Sequence, residues 1–202
     1  MTLLERLSRI APSTLGHFLD EGFLDVDIRP IFRPIKLVGR ALPISAPPGD
    51  NAIYRRGIRE AAPGDVLVIH RQGDHRHASF GGLLGLAASR RGITGVVLDG
   101  PVTDLVELVA LGLPVFARGI SALTTRRLDR GGTLGEPITC GGVRVARGDY
   151  VLGDDDGVLI IAEAEVAGVV ERGEAAMRRE AETRAYLEAG KTLDDIERLS
   201  QR

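Results

Sequence analysis

Glycines divide residues 81–118 into short elements, and this division limits the possible folds more tightly than anything else in the sequence. Residues 83–91 form an apolar run of helical length that stops at Gly92, and glycine is the residue that ends helices at least cost. Residues 95–100 form a short apolar run bounded by glycines, which favours a buried strand over a helix. The segment therefore begins with a helix that is followed by a buried strand.

The same segment continues with a second helix and a second strand. Asp104 and Glu107 have the spacing of an N-cap residue and its partner three positions later, which predicts a capping box and a helix over 105–111 that Gly112 ends. Residues 113–117 predict the next strand. Backbone N–H groups at the two helix starts, one at Gly82 and one at Asp104, can bind anions.

Outside this segment, helical and strand patterns continue along the whole chain. Further helices are predicted at residues 2–10, 13–21 (with Ser13 as N-cap), 51–61, 163–189 and 192–199, and further strands at 36–38, 40–44, 66–70, 143–146, 150–152 and 158–161. Strands in both alternating and hairpin order predict an α/β fold with a mixed sheet and helices on its faces. Since no compositional linker interrupts the pattern, we predict one domain over residues 1–202, with N-terminal helices in 1–35 and a C-terminal helical tail in 163–202.

Composition excludes several classes of protein. The chain has 44% hydrophobic and 27% charged residues, the proportions of an ordinary globular protein. Its formal net charge of -2 provides no general attraction to nucleic acid, and no apolar run approaches the roughly 20 residues that cross a bilayer. Charged residues interrupt the apolar stretch at the N-terminus, so it lacks the pattern of a secretory signal. We therefore predict a cytoplasmic protein that binds neither nucleic acid nor membrane.

The residues around Asp99 carry a resemblance to a known family. Residues 99–104 read Asp-Gly-Pro-Val-Thr-Asp, with a Gly-Gly turn about twenty residues earlier at Gly81 and an acidic residue, Glu107, three positions after the last Asp. This pattern is similar to that of the RraA-like family, which includes the regulator of ribonuclease E activity A and the 4-hydroxy-4-methyl-2-oxoglutarate aldolases. Similar sequence recurs at residues 48–51, 63–68, 113–118 and 148–158, so the resemblance extends from about Ser13 to the C-terminal helix.

The resemblance implies a three-layer β/β/α sandwich of the swivelling type, assembled as a homotrimer or homohexamer with its active site between subunits. It also implies a site that holds Mg²⁺ or Mn²⁺ at Asp104 and a small 2-oxo acid at the backbone amides of the Gly-Gly turn. On this basis the catalytic residues would be Asp104 and Glu107, the metal ligand Asp104, and the substrate-binding residues Gly81, Gly82, Leu83, Leu84 and Thr103.

Each of these features also has an interpretation that needs no ligand. Asp104 and Glu107 could simply cap a helix, and the Gly-Gly turn could precede two leucines, Leu83 and Leu84, that face the core. The residues alone favour the cap, whereas the resemblance favours the metal, because the family's metal-binding aspartate falls on Asp104. A carboxylate at the end of a strand and beside a helix N-terminus can serve both roles.

Thr103 departs from the family pattern. The aldolases have an arginine at this position, which holds the pyruvyl end of the substrate and stabilises the enolate. A threonine hydroxyl carries no charge, and loss of a comparable oxyanion donor lowers the rate of other enzymes by about 10²–10³. Three outcomes stay open: another cation enters the site, with Arg118, Arg76 and Arg90 as candidates; the substrate differs; or lyase chemistry is lost.

Three histidines, His70, His75 and His77, fall within eight residues shortly before the Gly-Gly turn. Such a group could bind a metal or transfer protons. The favoured interpretation is that a polar loop simply exposes His75 and His77; if the Thr103 change reflects a remodelled site, His77 is the first candidate for a new member. Cys140 lies in an apolar setting and is expected to be buried and inert.

Two hypotheses of different classes follow. The first is a divalent-metal-dependent lyase, a class II aldolase or oxaloacetate decarboxylase, that cleaves a carbon–carbon bond in a small 2-oxo acid with Mg²⁺ or Mn²⁺ as cofactor. The second is a non-catalytic regulator, similar to the inhibitor of ribonuclease E, that binds a ribonuclease or another protein partner. An enzyme of the same fold with a different substrate is a third alternative.

Overall fold

The computed structural model describes the backbone of residues 1–200 and the side chains of residues 1–198. Within that part of the chain the helices are α1 (Leu3–Leu7), α2 (Pro12–Leu15), α3 (Ala52–Glu60), α4 (Gly82–Arg91), α5 (Leu105–Leu111), α6 (Val166–Glu188) and α7 (Leu193–Ser200). The strands are β1 (Arg29–Pro30), β2 (Lys36–Ser45), β3 (Asp65–His70), β4 (Gly95–Val102), β5 (Val115–Ile120), β6 (Thr133–Leu134), β7 (Ile138–Cys140), β8 (Val143–Val145), β9 (Tyr150–Asp154) and β10 (Gly157–Ile161). Among the described residues, none of these helices combines the length with the apolar character that a membrane span requires.

The central sheet is mixed, as predicted. Its strands lie in the order β1-β5-β4-β3-β2-β9-β10, and β6 pairs with one end of β2. The four strands from β2 to β5 are parallel, and α3, α4 and α5 connect them in turn. Parallel neighbours need such crossover connections, so the carboxyl ends of these four strands meet at one edge of the sheet.

Two apolar layers cover the two faces of the sheet. On one face, side chains such as Leu67 and Leu98 pack with residues of α3, α4 and α5. On the other face, the alternate side chains, among them Val68 and Val97, pack with the antiparallel β7–β8 ribbon. Both sets are buried because successive strand residues point to opposite faces. This arrangement confirms the expected α/β fold with three layers, β/β/α.

A third apolar cluster packs the N-terminal helices and α6 against the antiparallel side of the sheet. Leu7 of α1 and Leu15 of α2 are buried together with Leu159 of β10. Val170 of α6 completes the contact. The long C-terminal helix of the prediction is therefore present, and it begins at Val166 rather than at residue 163.

Strand β2 differs from the sequence-based prediction. The sequence predicts two strands divided at Gly39, whereas β2 continues through this position. A Cβ atom at residue 39 would lie 2.6 Å from the carbonyl oxygen of Gly64 and 2.7 Å from Cγ2 of Val66. Gly39 therefore allows a neighbouring segment to approach closely and does not end the strand.

The two N-terminal helices are shorter than predicted. They end at Leu7 and Leu15. The N-cap of α2 is Ala11, so the assignment of Ser13 as N-cap is wrong. Pro12 takes the first helical position, where its missing N–H is tolerated because that group would have no partner within the helix.

Candidate active site

The starts of α4 and α5 lie side by side at the carboxyl edge of the parallel strands. Strand β4 ends at Val102, and the backbone N–H of the next residue, Thr103, donates to the carbonyl of Phe80 at 3.0 Å. Phe80 also forms an isolated parallel bridge with Val102. These contacts hold the loop before α4 against the end of β4, so the two helix N-termini are adjacent. Ligands of open α/β sheets bind at this edge.

Asp104 occupies the N-cap position of α5, as predicted, but the predicted capping box is wrong. Its backbone is in the left-handed region (φ 55°), and within the described residues its carboxylate accepts no hydrogen bond from its own helix. Oδ2 instead accepts from the N–H of Gly82 at 3.0 Å, at the start of α4. Oδ1 accepts from the hydroxyl of Thr103 at 3.2 Å. Asp104 therefore caps the neighbouring helix.

Glycine is required at position 81, just before α4, and at position 82, its first residue, because a carboxylate lies against each of them. A Cβ atom at Gly81 would overlap Oδ2 of Asp104 and lie 2.7 Å from Cγ2 of Thr103. A Cβ atom at Gly82 would overlap Oε2 of Glu107. Both acidic side chains therefore converge on the same two-glycine turn, and only residues without a side chain leave room for them.

An open cavity of about 450 Å³ lies beside this turn. Its lining includes most of the predicted site residues, namely Gly81, Leu83, Leu84, Thr103 and Asp104. Gly82 is buried and donates its N–H to Asp104, whereas Glu107 lies over Gly82 and is exposed. A cavity of this volume suits a small organic ligand.

The two leucines after the turn differ from each other. Leu84 is partly buried and packs against the core, but Leu83 is 83% exposed, so the core-facing interpretation is wrong for Leu83. Val106 and Val109 on α5 are also exposed. Apolar surface therefore borders the candidate site.

Helix α3 provides a further wall of the cavity that sequence reasoning missed. Asn51, the N-cap residue of α3, lines the cavity together with Arg55 and Ile58, whose spacing of three residues places them on one face of the helix. Among the lining residues of the described chain, Arg55 is the only cation and Asp104 is the only carboxylate. The spacing is visible in the sequence, but only the packing of α3 beside α4 shows where that face points.

The arginines suggested as replacements for the family arginine do not line this cavity in the described structure. Arg76 and Arg90 are exposed elsewhere on the surface. Arg118 is largely buried, with its guanidinium paired to Asp99 through Nε and to Asp25 through Nη2 at 3.0 Å. Burial alone would lower the pKa of Arg118, but the bonds to these two carboxylates raise it above its usual value. Arg118 is therefore committed to a structural ion pair.

Asp99 and Arg118 also lie on the face of the sheet opposite to the cavity. Each comes two positions after a residue, Val97 or Phe116, that packs against the β7–β8 ribbon, so both side chains point to that face. Cys140 of the ribbon is buried on the same face, and burial raises the pKa of its thiol. Cys140 is thus buried, as predicted, and a thiol with a raised pKa is poorly reactive.

The three histidines do not form one cluster. Nε2 of His75 lies 3.4 Å from Oδ1 of Asp99, and Nδ1 of His70 lies 3.9 Å from Oδ2 of the same residue. His77 instead contacts Asp74, with Nδ1 2.9 Å from Oδ1. In the part of the chain that the structure describes, no three His, Cys, Asp or Glu side chains are placed to hold a metal ion together. The metal-ligand interpretation of the histidines therefore has no structural support.

A buried ionic network joins the loop before α4 to α3. Arg71 is fully buried, and its Nη2 pairs with Oδ2 of Asp74 at 3.0 Å. Its Nη1 donates to the carbonyl of Asp50 at 2.9 Å and to the hydroxyl of Tyr54 at 3.3 Å. Burial alone would raise the pKa of Asp74, but hydrogen bonds from His77 and from backbone N–H groups hold that pKa well below its usual range. His77 therefore belongs to this network.

A known family matches most of this sequence. The sequence profile of the RraA-like family, described as Aldolase/RraA, matches residues 14–160. A protein of Halalkalibacterium halodurans that is provisionally named 4-hydroxy-4-methyl-2-oxoglutarate aldolase is 34% identical over 145 residues. These residues are 72% of this chain and 69% of the relative.

Solved structures share the fold. An uncharacterized protein from Pseudomonas syringae pv. tomato superposes with a TM-score of 0.84 at 23% identity, over 96% of this chain and 91% of that protein. The RNA-processing inhibitor RraA from Thermus thermophilus superposes with a TM-score of 0.66 at 26% identity, over 74% of this chain and 90% of that one. With the profile match over most of its length, this chain belongs to the RraA-like family.

Proposed function

We propose that this protein is a divalent-metal-dependent lyase that cleaves a carbon–carbon bond in a small 2-oxo acid, by a retro-aldol reaction or by decarboxylation. The observation that carries the proposal is the position of Asp104. Its carboxylate lines a cavity of about 450 Å³ beside the N-terminus of α4, and within the described chain it has no cation partner. Relatives named as 4-hydroxy-4-methyl-2-oxoglutarate aldolases support the same class of substrate.

The acidic side chains fit a hydrated Mg²⁺ or Mn²⁺. Asp104 and Glu107 converge on the turn at Gly81 and Gly82, and neither belongs to an ion pair in the described residues. Two carboxylates without a neutralising cation repel each other, and Mg²⁺ is commonly held by one or two carboxylates while it keeps several waters. Asp104 would hold the metal, with Glu107 beside it as the second proposed catalytic carboxylate. The metal would supply Lewis-acid polarisation of the keto oxygen.

The first turn of α4 supplies donors for an anionic part of the substrate. The first four N–H groups of a helix have no partner within it. Here the N–H of Gly82 donates to Asp104, and that of Gly85 donates to the carbonyl of the residue before the helix at 2.9 Å. The N–H groups of Leu83 and Leu84 have no acceptor among the described residues. They would bind a carboxylate or keto oxygen, which the positive end of the helix also favours.

We also propose that the protein assembles as a homotrimer or homohexamer in which a neighbouring subunit covers the site. Leu83 and Val106 are each 83% exposed beside the cavity, and Val109 is exposed on the next turn of α5. Exposed apolar residues that are grouped at one place mark contact surfaces. A subunit on this surface would exclude water from the cavity. Sedimentation of the purified protein would measure the mass of the assembly, and a monomer would contradict the proposal.

Pyruvate release tests the lyase proposal. The protein would be incubated with 4-hydroxy-4-methyl-2-oxoglutarate, with oxaloacetate and with further 2-oxo acids, each with Mn²⁺ or Mg²⁺ and each after chelation. Heat-denatured protein is the control, because free metal ions decarboxylate oxaloacetate slowly. We expect pyruvate release that requires both folded protein and metal. No release from any of these acids would contradict the proposal.

Thr103 favours a second candidate function. Without the family arginine, the same scaffold would serve as a non-catalytic regulator that binds a ribonuclease or another protein, and the RNA-processing inhibitor RraA is a relative at 26% identity. Retention of a ribonuclease on the immobilised protein, together with no turnover of 2-oxo acids, would favour this alternative. Failure to retain a ribonuclease would count against the regulator.

A cytoplasmic location remains a prediction from the sequence.

A further inference from the structure

Because Thr103 replaces the family arginine, the proposed substrate meets no cation at the start of α5. The Thr103 hydroxyl carries no charge, and it already donates to Oδ1 of Asp104 at 3.2 Å. A 2-oxo acid has at least one carboxylate, which the carboxylate of Asp104 repels at short range. A cation that reaches the cavity from another element would supply the charge that Thr103 lacks.

Arg55 is such a cation. It lies on α3 and lines the cavity together with Asn51, the N-cap residue of the same helix. Neither side chain has a hydrogen-bond or ion-pair partner within the described chain. Arg56, the next residue, differs because its Nε pairs with Oε1 of Glu60 at 2.9 Å and because it does not line the cavity.

The chemistry of these two side chains suits a carboxylate. A guanidinium presents a planar fork of N–H donors that matches the two oxygens of a carboxylate, and the amide of Asn51 adds further donors. Asp104 lines the same cavity of about 450 Å³, which is small enough for one organic acid to contact both walls. The cavity thus offers a cation on α3 and, at the start of α5, the carboxylate that is proposed to hold the metal.

We propose that Arg55, supported by Asn51, binds a carboxylate of the 2-oxo acid and so takes the role that the family arginine has at position 103. This assignment rests on the proposed lyase function and names the group that recognises the substrate. Carboxylate recognition then lies on α3, and metal binding lies at Asp104.

Binding of oxalate to the Mn²⁺-loaded protein tests the assignment apart from catalysis, because oxalate resembles the enolate of pyruvate in shape and charge. Titration calorimetry would compare the wild type, Arg55→Ala and, as a matched control on the same helix, Arg56→Ala. We expect Arg55→Ala to weaken oxalate binding about 10- to 100-fold, the range for hydrogen bonds to charged groups. Arg56→Ala should leave the affinity unchanged. Since Arg55 is exposed, its replacement should not alter the melting temperature.

Two further variants separate charge from position. Arg55→Lys keeps the charge but loses the planar fork, so it should recover only part of the affinity. Addition of Thr103→Arg to Arg55→Ala should restore oxalate binding, because both positions line one cavity. No recovery in this double variant would mean that the two positions do not serve the same carboxylate.

The possible outcomes test the role of Arg55 separately from the proposed lyase function on which it rests. Equal oxalate affinity in the wild type and Arg55→Ala would overturn the role of Arg55, while metal-dependent pyruvate release by both would leave the lyase proposal intact. Equal weakening by Arg55→Ala and Arg56→Ala would indicate a general charge effect and would also overturn it. A wild type that neither binds oxalate nor releases pyruvate would overturn both proposals.

Discussion

The cavity beside Asp104 and the buried network around Arg71 use the same kinds of residue in opposite ways. In the network, the side chains of Arg71 and Asp74 are 0% and 5% exposed and pair with each other at 3.0 Å. At the cavity, Asp104 and Arg55 are both exposed, and neither has an ion-pair partner in the described chain. A buried charge is tolerated only when it is paired, whereas an exposed charge is solvated and stays available to a ligand. Burial and pairing, rather than residue type, separate the structural charges from the candidate functional ones.

Disruption of the buried pair should have the largest effect. Asp74→Asn leaves Arg71 charged in the interior, so we expect the free energy of unfolding to fall by about 3–5 kcal/mol. Urea denaturation at pH 7 measures this change. Asp129→Asn is the matched control, because Asp129 pairs with Arg127 at 3.6 Å on the surface and its loss should change stability little. Equal losses in the two variants would show that burial does not separate the two kinds of charge.

Removal of the exposed carboxylate of Asp104 should lower activity and leave stability nearly unchanged, the converse of the result for Asp74. We expect Asp104→Asn to lower the proposed lyase activity by about 10²–10³ while it leaves the free energy of unfolding nearly unchanged. The asparagine oxygen can still accept from the N–H of Gly82, so this variant tests the charge rather than the helix cap. Steady-state kinetics and Mn²⁺ titration would measure the effect. Full activity in Asp104→Asn would exclude Asp104 as the metal ligand.

The two-glycine turn offers a milder way to disturb the cavity. Gly82→Ala would displace the carboxylate of Glu107, so we expect a loss of activity of at least about tenfold. Gly168→Ala on α6 is the control, because a Cβ atom there meets no described atom within 4 Å and alanine favours a helix. That variant should keep full activity and gain slightly in melting temperature. Unchanged activity in Gly82→Ala would argue against a role for Glu107.

The pH dependence of stability should show the smallest effect. Burial alone would raise the pKa of Asp50, but hydrogen bonds from backbone N–H groups, those of Leu128 and Arg130 first among them, lower it. Burial would likewise raise the pKa of Asp74, but hydrogen bonds from the His77 side chain and from backbone N–H groups lower it. A depressed folded-state pKa stabilises the protein in full above the unfolded value of about 3.9, and this contribution is lost as the pH falls toward the folded-state pKa. The free energy of unfolding should therefore decline below about pH 4. The decline should be shallower in Asp74→Asn, and identical slopes would contradict these assignments.

Local signals predicted the elements that carry the candidate site. Helix α5 spans the predicted residues, because Gly112 ends it in the left-handed conformation (φ 64°). Helix α4 ends at Arg91 before Gly92, also as predicted. Such signals act within about one helical turn, so they can be identified without knowledge of the fold. The family pattern predicts a common site for Gly81 and Asp104, and both residues line one cavity.

Local sequence signals did not predict the contacts between distant segments. The carboxylate of Asp104 lies against Gly82, 22 residues earlier, and not against its own helix. Arg55 lines the cavity although it lies 48 positions before Thr103 in the numbering, outside the motif that carries the family resemblance. These outcomes depend on how α3, α4 and α5 pack on one face of the sheet, which no local pattern specifies.

The ends of α4 and α5 and the position of β4 follow from the sequence alone, because each depends on neighbouring residues along the chain. Which charges are paired depends instead on tertiary structure. Arg118 and Arg55 are the same type of residue, but their surroundings differ. Arg118 pairs with two carboxylates, whereas Arg55 lines the cavity without an ion-pair partner in the described residues. Their difference arises because the sheet order brings together segments that are tens of residues apart, and burial in that assembly makes pairing obligatory.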